Sequence, residues 1–153
     1  MKPIQAKQKS LFVLVSIWMF GLCFFALQPE SIVLFFLRNP AFFSPAHALA
    51  YGGLAFLLCL YLRFRREFFS FRMNLPAVLI SAMILSAFCG GFTEILQIFS
   101  IDRIPDWLDF GFDLIGAVAG CLSFAFFANM ARPLKPVPAL SRKAVSKPAF
   151  LLK

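Results

Sequence analysis

Four stretches of this chain are too long and too apolar to serve as the core of a small water-soluble domain. Leu11 to Leu27, Ala46 to Leu62 and Leu75 to Phe92 carry no Asp, Glu, Lys or Arg, and Trp107 to Met130 carries only Asp109 and Asp113. The shortest way to satisfy the backbone of such a run in lipid is a helix, because each N–H and C=O then pairs within its own segment. Leu75 to Phe92 alone makes about 27 Å of helix, against an apolar bilayer core of about 30 Å. Only 14% of the 153 residues are charged and 61% are hydrophobic, whereas about a quarter of a soluble domain is charged. The expected fold is all-α: an integral membrane domain over 11–130, with four transmembrane helices near 11–27, 46–62, 75–99 and 107–130.

The remaining segments are short. Residues 1–10 form a basic leader with Lys2, Lys7 and Lys9. A signal peptidase site wants small residues at alternate positions, and Phe24 stands two before Ala26, so the first span is expected to stay uncleaved. Between the first two spans, Ser31 to Leu37 is apolar but too short to cross, which fits an interfacial or re-entrant segment. Residues 131–153, basic and proline-rich, read as a solvated tail.

Charge placement sets the expected orientation. All but two of the 15 Lys and Arg residues lie in the leader, in the 63–74 link with Arg63, Arg65, Arg66 and Arg72, or in the tail. The exceptions, Arg38 and Arg103, lie in the other two connections. The positive-inside rule then puts both termini in the cytoplasm of a multi-pass cell-membrane protein. The same distribution argues against nucleic acid as a partner, since the net charge of +8 is not gathered on a face interleaved with aromatics. The partner it does imply is the bilayer. Cys23, Cys59, Cys89 and Cys121 fall one per apolar run with no close pair in sequence, fitting small packing residues better than a disulfide or zinc framework.

Five of the seven acids, Glu94, Asp102, Asp106, Asp109 and Asp113, cluster within 94–113, at the expected outer face. Charges in or beside a span are rare and mark functional sites by default. Asp106, Asp109, Asp113, Gly116 and Gly120 recur at spacings of three and four, one stripe of a helix. Gly116 and Gly120 make a small-residue seam that admits a neighbouring helix. Gly90, Glu94 and Gln97 share a stripe of the third span, and the simplest packing sets these two stripes together. His47 and Tyr51 share a face of the second span at the same height.

Blander readings stand beside these. Asp106 is as well explained as a first-turn acid at the positive end of a helix, and Asp102 as a solvated turn residue. Trp107 fits an interfacial belt, and so would Tyr51. His47 alone could anchor its helix at the interface. Glu94 and Asp113 resist such readings, because an unpaired carboxylate below the rim costs a few kcal/mol. Arg103 can pair with one or two of the acids; the others need His47, a proton, a cationic ligand or a metal.

Glu94-x-x-Gln97, followed by Arg103-x-x-Asp106-x-x-Asp109-x-x-x-Asp113-x-x-Gly116-x-x-x-Gly120, resembles the signature of VanZ-like membrane proteins. His47 with Tyr51 resembles that family's earlier His motif, and the match covers roughly 43–125. Two departures stand out. Phe43 and Ser44 occupy positions where the family usually has Asp-Lys, and Asp113 stands where it usually has Asn. The resemblance implies a small bacterial cell-envelope protein, in a family whose founding member is linked to resistance to the glycopeptide teicoplanin. It supplies no established reaction.

The leading expectation is an outer-face polar pocket that recognises a lipid-linked or amphiphilic ligand, an envelope lipid or a glycopeptide-related molecule. Its candidate residues are His47, Tyr51, Glu94, Gln97, Arg103, Asp106, Asp109 and Asp113. The alternative is an enzyme acting on a polyprenyl phosphate or peptidoglycan precursor. There His47 or Glu94 would serve as general acid or base, with a divalent cation at the carboxylate cluster as the one cofactor the residue types suit. A transporter would want charges at the midplane and internal repeats, which the chain lacks, and four spans would make a pore only as a homo-oligomer.

Overall fold

The computed structural model describes residues 3–37, 42–66, 74–101, 103 and 106–130. Every element among them is helical: α1 Pro3–Ala26, α2 Glu30–Leu37, α3 Phe43–Arg66, α4 Leu75–Gln97 and α5 Trp107–Met130. Four of these are long and apolar enough to cross a membrane. At 23 or 24 residues each they reach about 35 Å, while the 8-residue α2 reaches about 12 Å and cannot cross. Phe20, Phe88, Leu122 and Phe126 are among many large apolar side chains left exposed. Such a surface would drive aggregation in water and is matched by lipid chains.

α1 and α3 overrun the expected spans. α1 takes in the leader from Pro3, because Gln and Lys are good helix formers and Pro is tolerated in a first turn. α3 extends beyond 46–62 in both directions. α4 stops at Gln97, two residues before Phe99, where Ile98, Phe99 and Ser100 donate back to the carbonyls of Ile95, Leu96 and Gln97 in a tightening last turn. Its start is fixed by Asn74, whose side chain accepts from the Ala77 N–H at 3.0 Å. Arg38, the link from Glu67 to Arg72, Asp102, Pro105 and the 131–153 tail lie outside the described residues.

α3 is the central helix, packed against α1, α4 and α5. Its Tyr51, Leu54, Ala55, Leu58 and Cys59 are buried. α1 runs antiparallel to it, with Phe12 against Tyr61 and the Trp18 indole donating to the Ala50 carbonyl at 3.0 Å. α5 runs parallel to α3, and this arrangement corrects the expected helix pairing. The Gly116–Gly120 seam faces α3 and not α4. A Cβ on Gly116 would collide with the Ala48 carbonyl, and one on Gly120 with that of Gly52. Lipid gives helices no reason to associate by hydrophobicity, so backbone approach through small residues is what joins them. Gly90, the small residue of α4, is the one that meets α5: a Cβ there would stand 2.9 Å from Asp113 Oδ2.

The fold also pairs two cysteines that the sequence keeps far apart. Cys59 and Cys121 place their sulfurs 3.8 Å apart across the α3–α5 contact, in the half of the bundle away from the acids.

Candidate functional site

The polar residues gather where α3, α4 and α5 meet, at the end of the bundle away from Lys7, Lys9 and Arg63. Asp113 is the deepest, 1% exposed. One turn above it Asp109 is also buried, as are Glu94 and Gln97 on α4. His47, near the start of α3, reaches into this group. Its Nδ1–H donates to Asp113 Oδ1 at 2.9 Å, and its Nε2 lies 3.9 Å from Asp109 Oδ2. The imidazole thus stands between two carboxylates of one helix face, and a protonated ring forms an ion pair with both.

Glu94 is held from two sides. Gln97 Nε2 donates to its Oε1 at 3.0 Å and the Asp106 backbone N–H to its Oε2 at 3.1 Å. Single atoms of His47, Glu94 and Asp113 lie within 4.8 Å of one another, a set of donors that could hold a metal ion. Among the described residues, Asp113 Oδ2 is buried with no hydrogen-bond partner.

Three of the expected site residues take parts of their own. Asp106 caps α5: its carboxylate accepts from the Leu108 N–H at 2.8 Å and its side chain faces outward, so only its backbone N–H reaches the cluster. Tyr51 is 2% exposed, which rules out a belt aromatic. Its ring stacks near His47, and its hydroxyl donates to Thr93 Oγ1, which itself donates to the Gly90 carbonyl at 2.9 Å. Arg103 sends its guanidinium to the carbonyls of Phe25 and Ala26, at 3.2 and 3.4 Å, capping the C-terminus of α1. Desolvation lowers its pKa, and the carboxylates of Glu94, Asp109 and Glu30 oppose that shift.

Thr93 and Ser44 are functional partners that the acid pattern does not point to. Thr93 lies three residues after Gly90 and four before Gln97, so the α4 stripe already contained it. Ser44 Oγ donates to Asp109 Oδ1 at 3.4 Å. It therefore contributes a polar contact at one of the two positions where the family pattern carries Asp-Lys.

On the α1 side of His47 lies a cavity of about 290 Å³. Leu22, Phe25 and Ala26 of α1, Val33 of α2 and Ala46 and Ala50 of α3 make its apolar walls. His47, Tyr51, Thr93, Gln97 and Arg103 make its polar end, and none of the described carboxylates lines it. A second hollow, about 520 Å³, opens across α4 among Phe88, Phe92, Trp107 and Phe110, with Glu94 and Asp106 at its edge. Glu94 therefore lies between an apolar hollow on one side and the His47 cluster on the other.

Comparison with protein-family models, with curated proteins and with solved structures finds no match to this chain.

Proposed function

We propose that the chain is a cell-envelope membrane protein of VanZ-like type that holds one end of an amphiphilic, lipid-linked molecule in the cavity beside His47. The observation that carries this reading is the division of that cavity. Its walls are the apolar residues of α1, α2 and α3, and its far end collects a guanidinium, an amide, two hydroxyls and an imidazole. Binding sites for small molecules are built this way, with apolar walls and a few convergent polar groups. At about 290 Å³ the cavity lies at the small end of such sites and suits a headgroup or a chain end rather than a whole lipid.

The polar end also selects the kind of headgroup. Arg103 and Gln97 offer donors, while the described carboxylates stand behind His47 and out of the cavity. An anionic or hydroxyl-rich group is favoured over a cationic one. By the positive-inside pattern this end of the bundle would lie outside the cell, with both termini in the cytoplasm, within reach of outer-leaflet headgroups. A glycopeptide-resistance role would follow from occupancy by an envelope precursor.

Lipids retained by the protein after purification in nanodiscs, identified by mass spectrometry, test the reading. Wild type is expected to retain an anionic lipid in stoichiometric amount, and Ala46→Trp, which fills the cavity, is expected to lose it. Equal retention by both proteins would overturn the proposal.

A further inference from the structure

We infer that His47, Glu94 and Asp113 form a binding site for one divalent cation of the zinc or manganese type. A group of acids is not by itself such a site. Here an independent observation points to a ligand: Asp113, 1% exposed at the bottom of the cluster, keeps Oδ2 without a hydrogen-bond partner. A buried carboxylate oxygen in that position loses its hydration and gains nothing in return unless a ligand supplies the missing partner. A cation held by Asp113 would do so.

The donor set agrees in chemistry and in reach. One imidazole and two carboxylates bring atoms within 4.8 Å of one another. Ligands bound about 2.1 Å from a tetrahedral ion stand about 3.4 Å apart, so a small closure of side chains brings three donors into range and leaves the fourth position to water. The imidazole argues for zinc over calcium or magnesium, which prefer all-oxygen sites, and the two carboxylates also suit manganese.

The surroundings are those of supported ligands. Both Glu94 oxygens accept a hydrogen bond, from Gln97 and from the Asp106 backbone, and each keeps a second lone pair for a metal. His47 Nδ1 now points at Asp113 Oδ1, and Nε2 faces Asp109 Oδ2 at 3.9 Å. When Nδ1 turns from hydrogen-bond donor to ligand, its proton leaves and Nε2–H is aimed at Asp109. That is the carboxylate behind histidine found at most metal sites. The two ligating carboxylates balance the ion's charge.

The inference does not depend on what fills the cavity, and its test uses the metal alone. The chain contains a single histidine. Tag-free protein in nanodiscs, labelled in its histidine ring and titrated with Zn²⁺, therefore reports on the site through one imidazole signal. The expected result is one ion per chain by elemental analysis, with a shift of that signal saturating at the same stoichiometry. Glu94→Gln is expected to weaken binding by about 100-fold or more, and Asp109→Asn, one shell out, by about 10–100-fold. An unshifted ring signal in folded wild type, or unchanged binding in folded Glu94→Gln, would overturn the inference. The wild-type measurement decides the matter even where a variant fails to fold.

Discussion

Asp113 and His47 show what a single pair of residues can cost or contribute in this fold. Removing one partner of a buried charged pair leaves the other stranded, a loss of about 3–5 kcal/mol. His47→Ala is therefore expected to destabilise the protein strongly, and adding Asp113→Asn is expected to recover part of the loss. Thermal unfolding in detergent compares the single and double variants. If the double variant lost as much as the two single variants together, the 2.9 Å contact would contribute nothing. The setting of Asp113 is itself legible. Its Oδ2 lies against Gly90, so the space for this carboxylate exists only because α4 carries no side chain there.

At the level of helices, the closest approach is the α3–α5 crossing. Gly120→Leu would drive a side chain into the Gly52 backbone, which has no flexible end to move aside. Overpacking of this kind costs about 1–3 kcal/mol or more, and Gly21→Leu, with open space around it, should cost far less. Melting temperatures of the two variants check the contrast. The seam is also where sequence reasoning reached its limit. The spacing of Gly116 and Gly120 showed that some helix comes close, and the four apolar runs showed how many there are. Periodicity describes one helix at a time, so it set the acid stripe of α5 against α4 without revealing that the glycines one turn further on turn toward α3. Asp106 was undecidable for a related reason. A capping carboxylate and a lining carboxylate occupy the same spacing, and only the direction of the Leu108 N–H separates them.

For the molecule as a whole, the first property to establish is its orientation. A reporter fused after residue 153 that fluoresces only in the cytoplasm is expected to be bright, and an alkaline phosphatase fused at the same point, active only outside, to be silent. The opposite result would put the cluster on the inner face and remove the argument for outer-leaflet headgroups. The four spans and the height of the polar cluster were legible because lipid imposes length and polarity on each segment separately. The cavity was not. It is made by Leu22, Phe25 and Val33, residues that carry no mark of function, and it exists only where α1 packs against α3 with Val33 of α2 beside them.

The parallel pairing of α3 and α5 has a consequence for how the protein is made. His47 leaves the ribosome with the second span, but both of its aspartate partners and the glycines that seat it arrive with the last. During synthesis the second span must wait in the bilayer, its imidazole unmatched, until Trp107–Met130 inserts beside it. Insertion of that helix is thus also the event that creates the cluster. A chain stopped short of that helix offers membrane quality-control proteases a visibly unfinished substrate.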